Sequence, residues 1–271
     1  MLTYPSIDPV AFAIGPLSVH WYGIMYLLAF ATAWILAVRR AKQPWSPIKA
    51  AQVEDLIVYG ALGVVIGGRL GYAFFYNFEA WMLDPLWVFR VWEGGMAFHG
   101  GLMGVILAIY WYCRRIQVSF FSTLDFIAPI VPLGLGFGRM GNFIGQELWG
   151  RATGVSWGMV FPRDPEQLAR HPSQLYQAFL EGFVLFIIVY WFSRKPRPRL
   201  AVGAVFILFY GIFRFVVEFV RQPDAHIQTL VFGWMTRGQL LSLPMILLGV
   251  GVLMYVYWVA AKKEQGKESK S

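Results

Sequence analysis

Seven apolar runs, near 17–38, 56–76, 96–113, 120–138, 173–192, 200–220 and 239–259, constrain this chain more than any other feature. A helix needs about 20 mainly apolar residues to cross the hydrocarbon core, and each run is near that length. Peptide groups in lipid find no water to bond, so such runs are committed to helix. Composition agrees: 58% of the residues are hydrophobic, 18% aromatic and 14% charged, with a mean hydropathy of +0.54 over 271 residues. A soluble domain of that size is more polar. The expected fold is an all-α polytopic membrane protein, a single membrane domain over 1–271 with seven transmembrane helices.

Basic residues set the orientation. None precedes the first run, while Arg39, Arg40 and Lys42 follow it, the reverse of a cleaved signal peptide. With the amino end outside, the inner segments hold Lys49, then Arg114 and Arg115, then Arg194, Lys195, Arg197 and Arg199, and lastly Lys262, Lys263, Lys267 and Lys270. All seven lysines then fall inside. The polar tail 262–271 is expected to be a disordered cytoplasmic end. The longest outer connection, 139–172, carries Pro162, Pro165 and Pro172 and is expected to form a small periplasmic head.

Several function classes drop out. The net charge of +8 and pI near 9.6 would suit nucleic acid, but the basic residues are spread over loops in the order that topology demands. No nucleic-acid partner is expected. A single cysteine, Cys113, rules out an intrachain disulfide framework or thiolate metal site. Glu147, Glu218 and Asp224 are the main outer carboxylates and two of them neighbour arginines, so no catalytic metal is expected. Walker spacing is missing, and no cofactor is expected. No internal repeat is visible, which weighs against an inverted-repeat transporter.

The chemistry-bearing residues collect on one side. His20 and Tyr22 begin the first run, His99 the third and His171 the fifth; Arg139, Asn142 and Glu147 follow the fourth, and His226 follows the sixth. In the seven-span arrangement all these ends are outer. Ionisable groups at membrane depth cost at least about 2.5 kcal/mol each and usually mark function. In FYGIFRFVVEFVRQPD, Arg214, Glu218 and Arg221 are spaced four and three apart, so they share a helical face. They read either as an ion-pair ladder reaching for the surface or as an arginine, Arg214, that grips an anion while Glu218 holds its neighbour rigid. The glycine-rich pieces GGRLGY, GGMAFHGG and GLGFGRMGN read either as close helix packing or as backbone amides that approach a phosphate.

Five blocks together resemble a known family: GRMGNFIGQELWGR (138–151), HWYGIMY (20–26), GGMAFHGG (94–101), HPSQLY (171–176) and RFVVEFVRQPD (214–224). Their content and order resemble bacterial phosphatidylglycerol–prolipoprotein diacylglyceryl transferase over nearly the whole chain. The family usually has Asn-Gly where this chain has Gly145 and Gln146; Arg139, Asn142 and Glu147 match. The resemblance implies a multi-pass enzyme of the bacterial inner membrane with its active site on the periplasmic side. It would move the diacylglyceryl group of phosphatidylglycerol to the thiol of the lipobox cysteine in a prolipoprotein signal peptide, releasing glycerol 1-phosphate. Its partners would be that lipid, that precursor and the surrounding membrane lipids.

The resemblance also implies functional roles for Tyr22, His99, Arg139, Asn142, Glu147 and Arg214. A thiol is a weak nucleophile until deprotonated, and the lipid C–O bond breaks only if the departing phosphate is stabilised. Arg139 and Arg214 are expected to clamp the phosphate, since a guanidinium bonds two oxygens at once. His99 is the expected base, against the alternative of a histidine that bonds backbone at a helix start. Asn142 and Glu147 would bind the glycerol head or orient an arginine, Glu218 would hold an arginine, and Tyr22 could donate to a phosphate oxygen. A lipid or anion transporter and a non-catalytic lipid-binding scaffold are the other classes weighed.

Overall fold

Helix dominates the computed structural model, which describes residues 2–15, 17–222 and 234–268. Asp224 and His226 lie outside the described residues. The helices are α1 (Trp21–Ala41), α2 (Val53–Tyr76), α3 (Phe78–Leu83), α4 (Phe98–Arg115), α5 (Phe120–Ile127), α6 (Val131–Ile144), α7 (Ser173–Gln177), α8 (Leu185–Phe192), α9 (Ala201–Val217) and α10 (Arg237–Glu268). A π-helical segment, Ala178–Val184, joins α7 to α8, so Ser173–Phe192 runs as one helix.

Among the described residues, four helices are long and apolar enough to cross a membrane: Trp21–Ala41, Ala50–Tyr76, Ser173–Phe192 and Arg237–Gly266. The pair α5 and α6, bent by 51°, makes a fifth candidate. Large apolar side chains stand exposed along these helices, Leu27, Phe75, Leu247 and Met254 among them, as lipid-facing surface requires. The chain is a mostly helical membrane protein.

The boundaries differ from the sequence expectation in four places. Leu17–His20 is not helical: it is β3, paired antiparallel with β2 (Val10–Ile14), and the first helix begins at Trp21. The run 120–138 breaks at 128–130, beside Pro129 and Pro132, because proline lacks an N–H and its ring disfavours helix in the residue before it. Pro132 then sits in the first turn of α6, where a missing N–H is harmless. α6 continues to Ile144, so Arg139 and Asn142 stand inside a helix rather than after one. α10 reaches Glu268, through most of the tail expected to be disordered.

The chain divides into two units, Met1–Leu36 with Leu124–Ser271, and Ala37–Thr123. The second is built on α2 against α4 at backbone contact. A Cβ at Gly67 would lie 2.3 Å from the Gly100 carbonyl oxygen, and one at Gly104 would lie 2.1 Å from that of Gly63. Close packing is thus the reading that the structure favours for these glycines. Arg69, 2% exposed, points into the turns before α4. It donates to the carbonyls of Val88 (3.0 Å), Trp87 (2.8 Å), Arg90 (2.9 Å), Gly95 (3.3 Å) and Gly94, and stacks on the Trp87 ring. Its work is structural.

In the first unit the connection after α6 carries a small sheet, with β1 (Leu2–Thr3) parallel to β4 (Met159–Val160) and β4 antiparallel to β5 (Ala169–Arg170). Tyr4, Phe143, Met159 and Phe161 form its core. The Tyr4 hydroxyl lies within hydrogen-bond distance of the carbonyls of Phe143 and Ile144 at the end of α6, and the Phe143 carbonyl also accepts the Gln146 N–H at 3.0 Å. Buried Arg170 forks onto Asp164 at 2.5 and 3.1 Å. These hydrogen bonds hold the Asp164 carboxyl below the ordinary carboxylate range. At the other end of the bundle, Asp125 caps α9 by accepting the N–H groups of Leu200 (2.6 Å) and Gly203 (2.7 Å).

Candidate active site

Three helical segments of the first unit bring ionisable side chains together. α6 supplies Arg139, α9 supplies Arg214, and the π-helical segment supplies Glu181, which is 1% exposed. Arg139 Nη2 lies 4.0 Å from one Glu181 carboxylate oxygen, and Arg214 Nη1 lies 4.0 Å from the other. One carboxylate therefore faces two guanidiniums, one per oxygen.

Glu218 follows α9 and completes the group. Its Oε2 stands 2.9 Å from Arg214 Nη2, an ion pair out of line for a hydrogen bond, and its Oε1 stands 3.7 Å from Arg221 Nη1. The i,i+4 and i,i+3 spacing read from the sequence is thus realised as two contacts. Arg214 also donates to Gln177 Oε1 at 3.4 Å. Three guanidiniums against two carboxylates leave one positive charge when all are ionised, which one phosphodiester would neutralise.

Arg139 differs from its neighbours. Among the described residues its guanidinium finds no hydrogen-bond acceptor, and its single ion pair is the long one to Glu181. Its side chain is 23% exposed, so the guanidinium is only partly buried and its N–H groups stay open to a ligand.

The remaining predicted residues in this unit line the same helix end. The Tyr22 ring packs on Gly141, where a Cβ would come within 2.7 Å, and its hydroxyl is 3.5 Å from that of Tyr26. Asn142 is buried on α6, and its carbonyl accepts the Glu147 N–H at 2.9 Å. Glu147 is exposed on the turn that follows, held from below by Gln174, whose amide donates to the Glu147 carbonyl at 2.6 Å. Gln146 adopts φ +54° in that turn.

His99 belongs to the other unit, in the first turn of α4. It is exposed and meets Phe98 edge to face at 5.6 Å, with no hydrogen bond to a described residue. The alternative of a histidine bonded to backbone at the helix start is therefore not what the structure shows. His171 has a structural setting: its backbone bonds Gly150 and Arg151, its Nδ1 lies 3.3 Å from the Tyr176 hydroxyl, and burial pushes its imidazole below the ordinary value.

Glu181 and Gln177 were not singled out from the sequence. The signal was present, since Glu181 is an acid inside the apolar run 173–192 and the membrane-depth cost applied to the arginines applies equally to it. Among the described residues no cluster of histidine, cysteine and carboxylate has the makings of a metal site.

The family model described as prolipoprotein diacylglyceryl transferase matches residues 9–255. A phosphatidylglycerol–prolipoprotein diacylglyceryl transferase of Teredinibacter turnerae is 57% identical over 281 aligned residues, covering 100% of this chain and 98% of the relative. Proteins of the same name from Acinetobacter baylyi and Ectopseudomonas mendocina are each 58% identical, covering 95% of this chain and 95% and 97% of their own lengths.

Proposed function

This chain belongs to the prolipoprotein diacylglyceryl transferase family, and from that premise we propose that Arg139 and Arg214 are the phosphate clamp of its reaction. The enzyme transfers the diacylglyceryl group of phosphatidylglycerol to prolipoproteins, the first step of lipoprotein maturation. The observation that carries the clamp is the convergence of both arginines on one buried carboxylate, with the Arg139 donors unclaimed.

In this reading a lipobox cysteine thiolate attacks the lipid glycerol carbon that bears the phosphate. The S–C bond forms as the C–O bond breaks, and the electron pair leaves on glycerol 1-phosphate. The thiol proton passes to the His99 imidazole. Arg139 and Arg214 stabilise charge as it grows on the leaving phosphate, in surroundings poor in water where such an interaction is strongest. Tyr22, Asn142 and Glu147 lie at the same end of α6 and would position the phosphate and glycerol head, while Glu218 fixes Arg214.

The membrane arrangement proposed with it is seven spans, adding α4 and the 17-residue α9 to the five candidates, with the amino end outside, the connection 139–172 as a periplasmic head, and the inner bacterial membrane as location. The lysine distribution supports it. A reporter fused after Ser271 should be active only in the cytoplasm; periplasmic activity would reverse the topology.

The activity is tested with purified protein, phosphatidylglycerol and a peptide carrying a lipobox cysteine. Glycerol phosphate should appear in step with peptide lipidation, and a serine peptide should give neither. Release that continues without the cysteine peptide would mark a hydrolase instead.

A further inference from the structure

We propose that Glu181 is a positioning residue of the phosphate site, the shared counter-ion that keeps Arg139 and Arg214 side by side while leaving their donors to the ligand. The proposal rests on the clamp reading above and adds a residue and a role to it.

Glu181 is built in with unusual firmness. It sits on the π-helical segment, a form that appears mostly as single-turn bulges and frequently at functional sites. The next residue, Gly182, meets Gly136 of α6 so closely that a Cβ on it would lie 2.7 Å from the Gly136 Cα. Arg139 stands one turn along α6 from Gly136, so this contact sets the height of Glu181 relative to Arg139. The acid is not a side chain that swings in from a loop.

Its contacts are as informative as its place. Both carboxylate oxygens are buried and neither has a hydrogen bond, although two guanidiniums face them at 4.0 Å. A carboxylate kept for stability alone would draw those donors into hydrogen bonds, because an unsatisfied buried charge is costly. Asp164 shows the contrast, drawing Arg170 into hydrogen bonds at 2.5 and 3.1 Å. At its longer range Glu181 attracts both arginines without taking their N–H groups, and its charge opposes any anion they bind. That opposition has a use: the phosphate gains charge as it leaves, and a site with no counter-ion would hold the product too tightly.

The test compares Glu181→Gln and Glu181→Asp with the parent in detergent, measuring kcat, KM for phosphatidylglycerol, inhibition by added glycerol phosphate, and thermal unfolding. Glu181→Gln keeps the shape and removes the charge, so glycerol phosphate should inhibit about tenfold more strongly while kcat falls, with KM unchanged or lower. Glu181→Asp keeps the charge with a shorter reach, so inhibition should stay within about twofold of the parent while kcat falls in part. A residue that served folding alone would lower the unfolding temperature and leave inhibition where it was.

If Glu181→Gln folds and its inhibition and kcat match the parent, the proposal is overturned while the clamp stands. If glycerol phosphate fails to compete in the parent and substitution of Arg139 or Arg214 has no effect, the clamp reading falls and this one with it. Should Glu181→Gln not fold, Glu181→Asp decides, since a tenfold change in inhibition with the charge retained would refute the counter-ion role.

Discussion

Gln146 and Arg163 are joined across 17 residues: the Gln146 side-chain oxygen accepts the Arg163 N–H at 3.0 Å, and Arg163 returns a guanidinium bond to the Gly145 carbonyl at 2.9 Å. Gln146 makes this contact from φ +54°, a left-handed conformation that glycine adopts without steric penalty. The turn carrying Glu147 is thus held by a side chain in an unfavourable backbone state.

Two substitutions there should diverge. Gln146→Gly relieves the strain but loses the hydrogen bond and adds chain entropy, so its stability should remain within about 1 kcal/mol of the parent. Gln146→Val has neither the bond nor a tolerable left-handed state and should lose about 2 kcal/mol or more. Thermal unfolding in one detergent checks the order, and a glycine variant weaker than the valine variant would contradict it.

For the clamp, Arg139→Lys and Arg214→Lys should each lose about 10²-fold in kcat/KM at matched expression, because an ammonium cannot make two parallel bonds to phosphate oxygens. Near-parent turnover in either variant would reduce that arginine to an ion-pair partner.

His99→Gln should fold as the parent does, since the imidazole has no hydrogen bond to a described residue to lose. As the base, His99 predicts a fall of about 10²-fold at pH 7 with partial recovery as rising pH ionises the attacking thiol. Parallel pH–rate profiles at equal rates would remove His99 from proton transfer.

The small sheet should show an acid-dependent weakness. The Asp164 carboxyl is held below its ordinary value by Arg170, so its contribution is complete above the unfolded value of about 3.9 and is lost as pH falls through the lowered folded value. Asp164→Asn leaves Arg170 buried without its partner and should cost about 3 kcal/mol near neutral pH. The gap between variant and parent should then narrow below about pH 4, and a gap that stays constant down to pH 2 would refute the assignment.

What the sequence made legible followed from strong, local physics. Arginines in apolar runs pointed to the buried ion-pair cluster, and the spacing of Arg214, Glu218 and Arg221 gave their contacts. The break beside Pro129 was written in the chain but masked by the apolar run around it. The hairpin ending at His20 merged with the helix that follows, because a short apolar strand and the start of an apolar helix share one composition. Glu181 was legible as an acid inside the apolar run 173–192, but its position opposite Arg139 was not, because the π-helical turn and the pair of glycines that place it have no local signature.

The contact between α2 and α4 has a consequence for His99. The oxygen of Gly100 occupies the volume a Cβ at Gly67 would need, and Gly71 closes on the Gly100 Cα from the next turn. Two rods meshed this tightly cannot slide past one another by a residue, so α4 has no independent vertical adjustment. His99 directly precedes Gly100, and its level along α2 is therefore dictated by its neighbour's glycines. A bulky replacement at Gly67 would shift the imidazole without touching it, and under the proposed role of His99 as base the loss would read as a defect in chemistry.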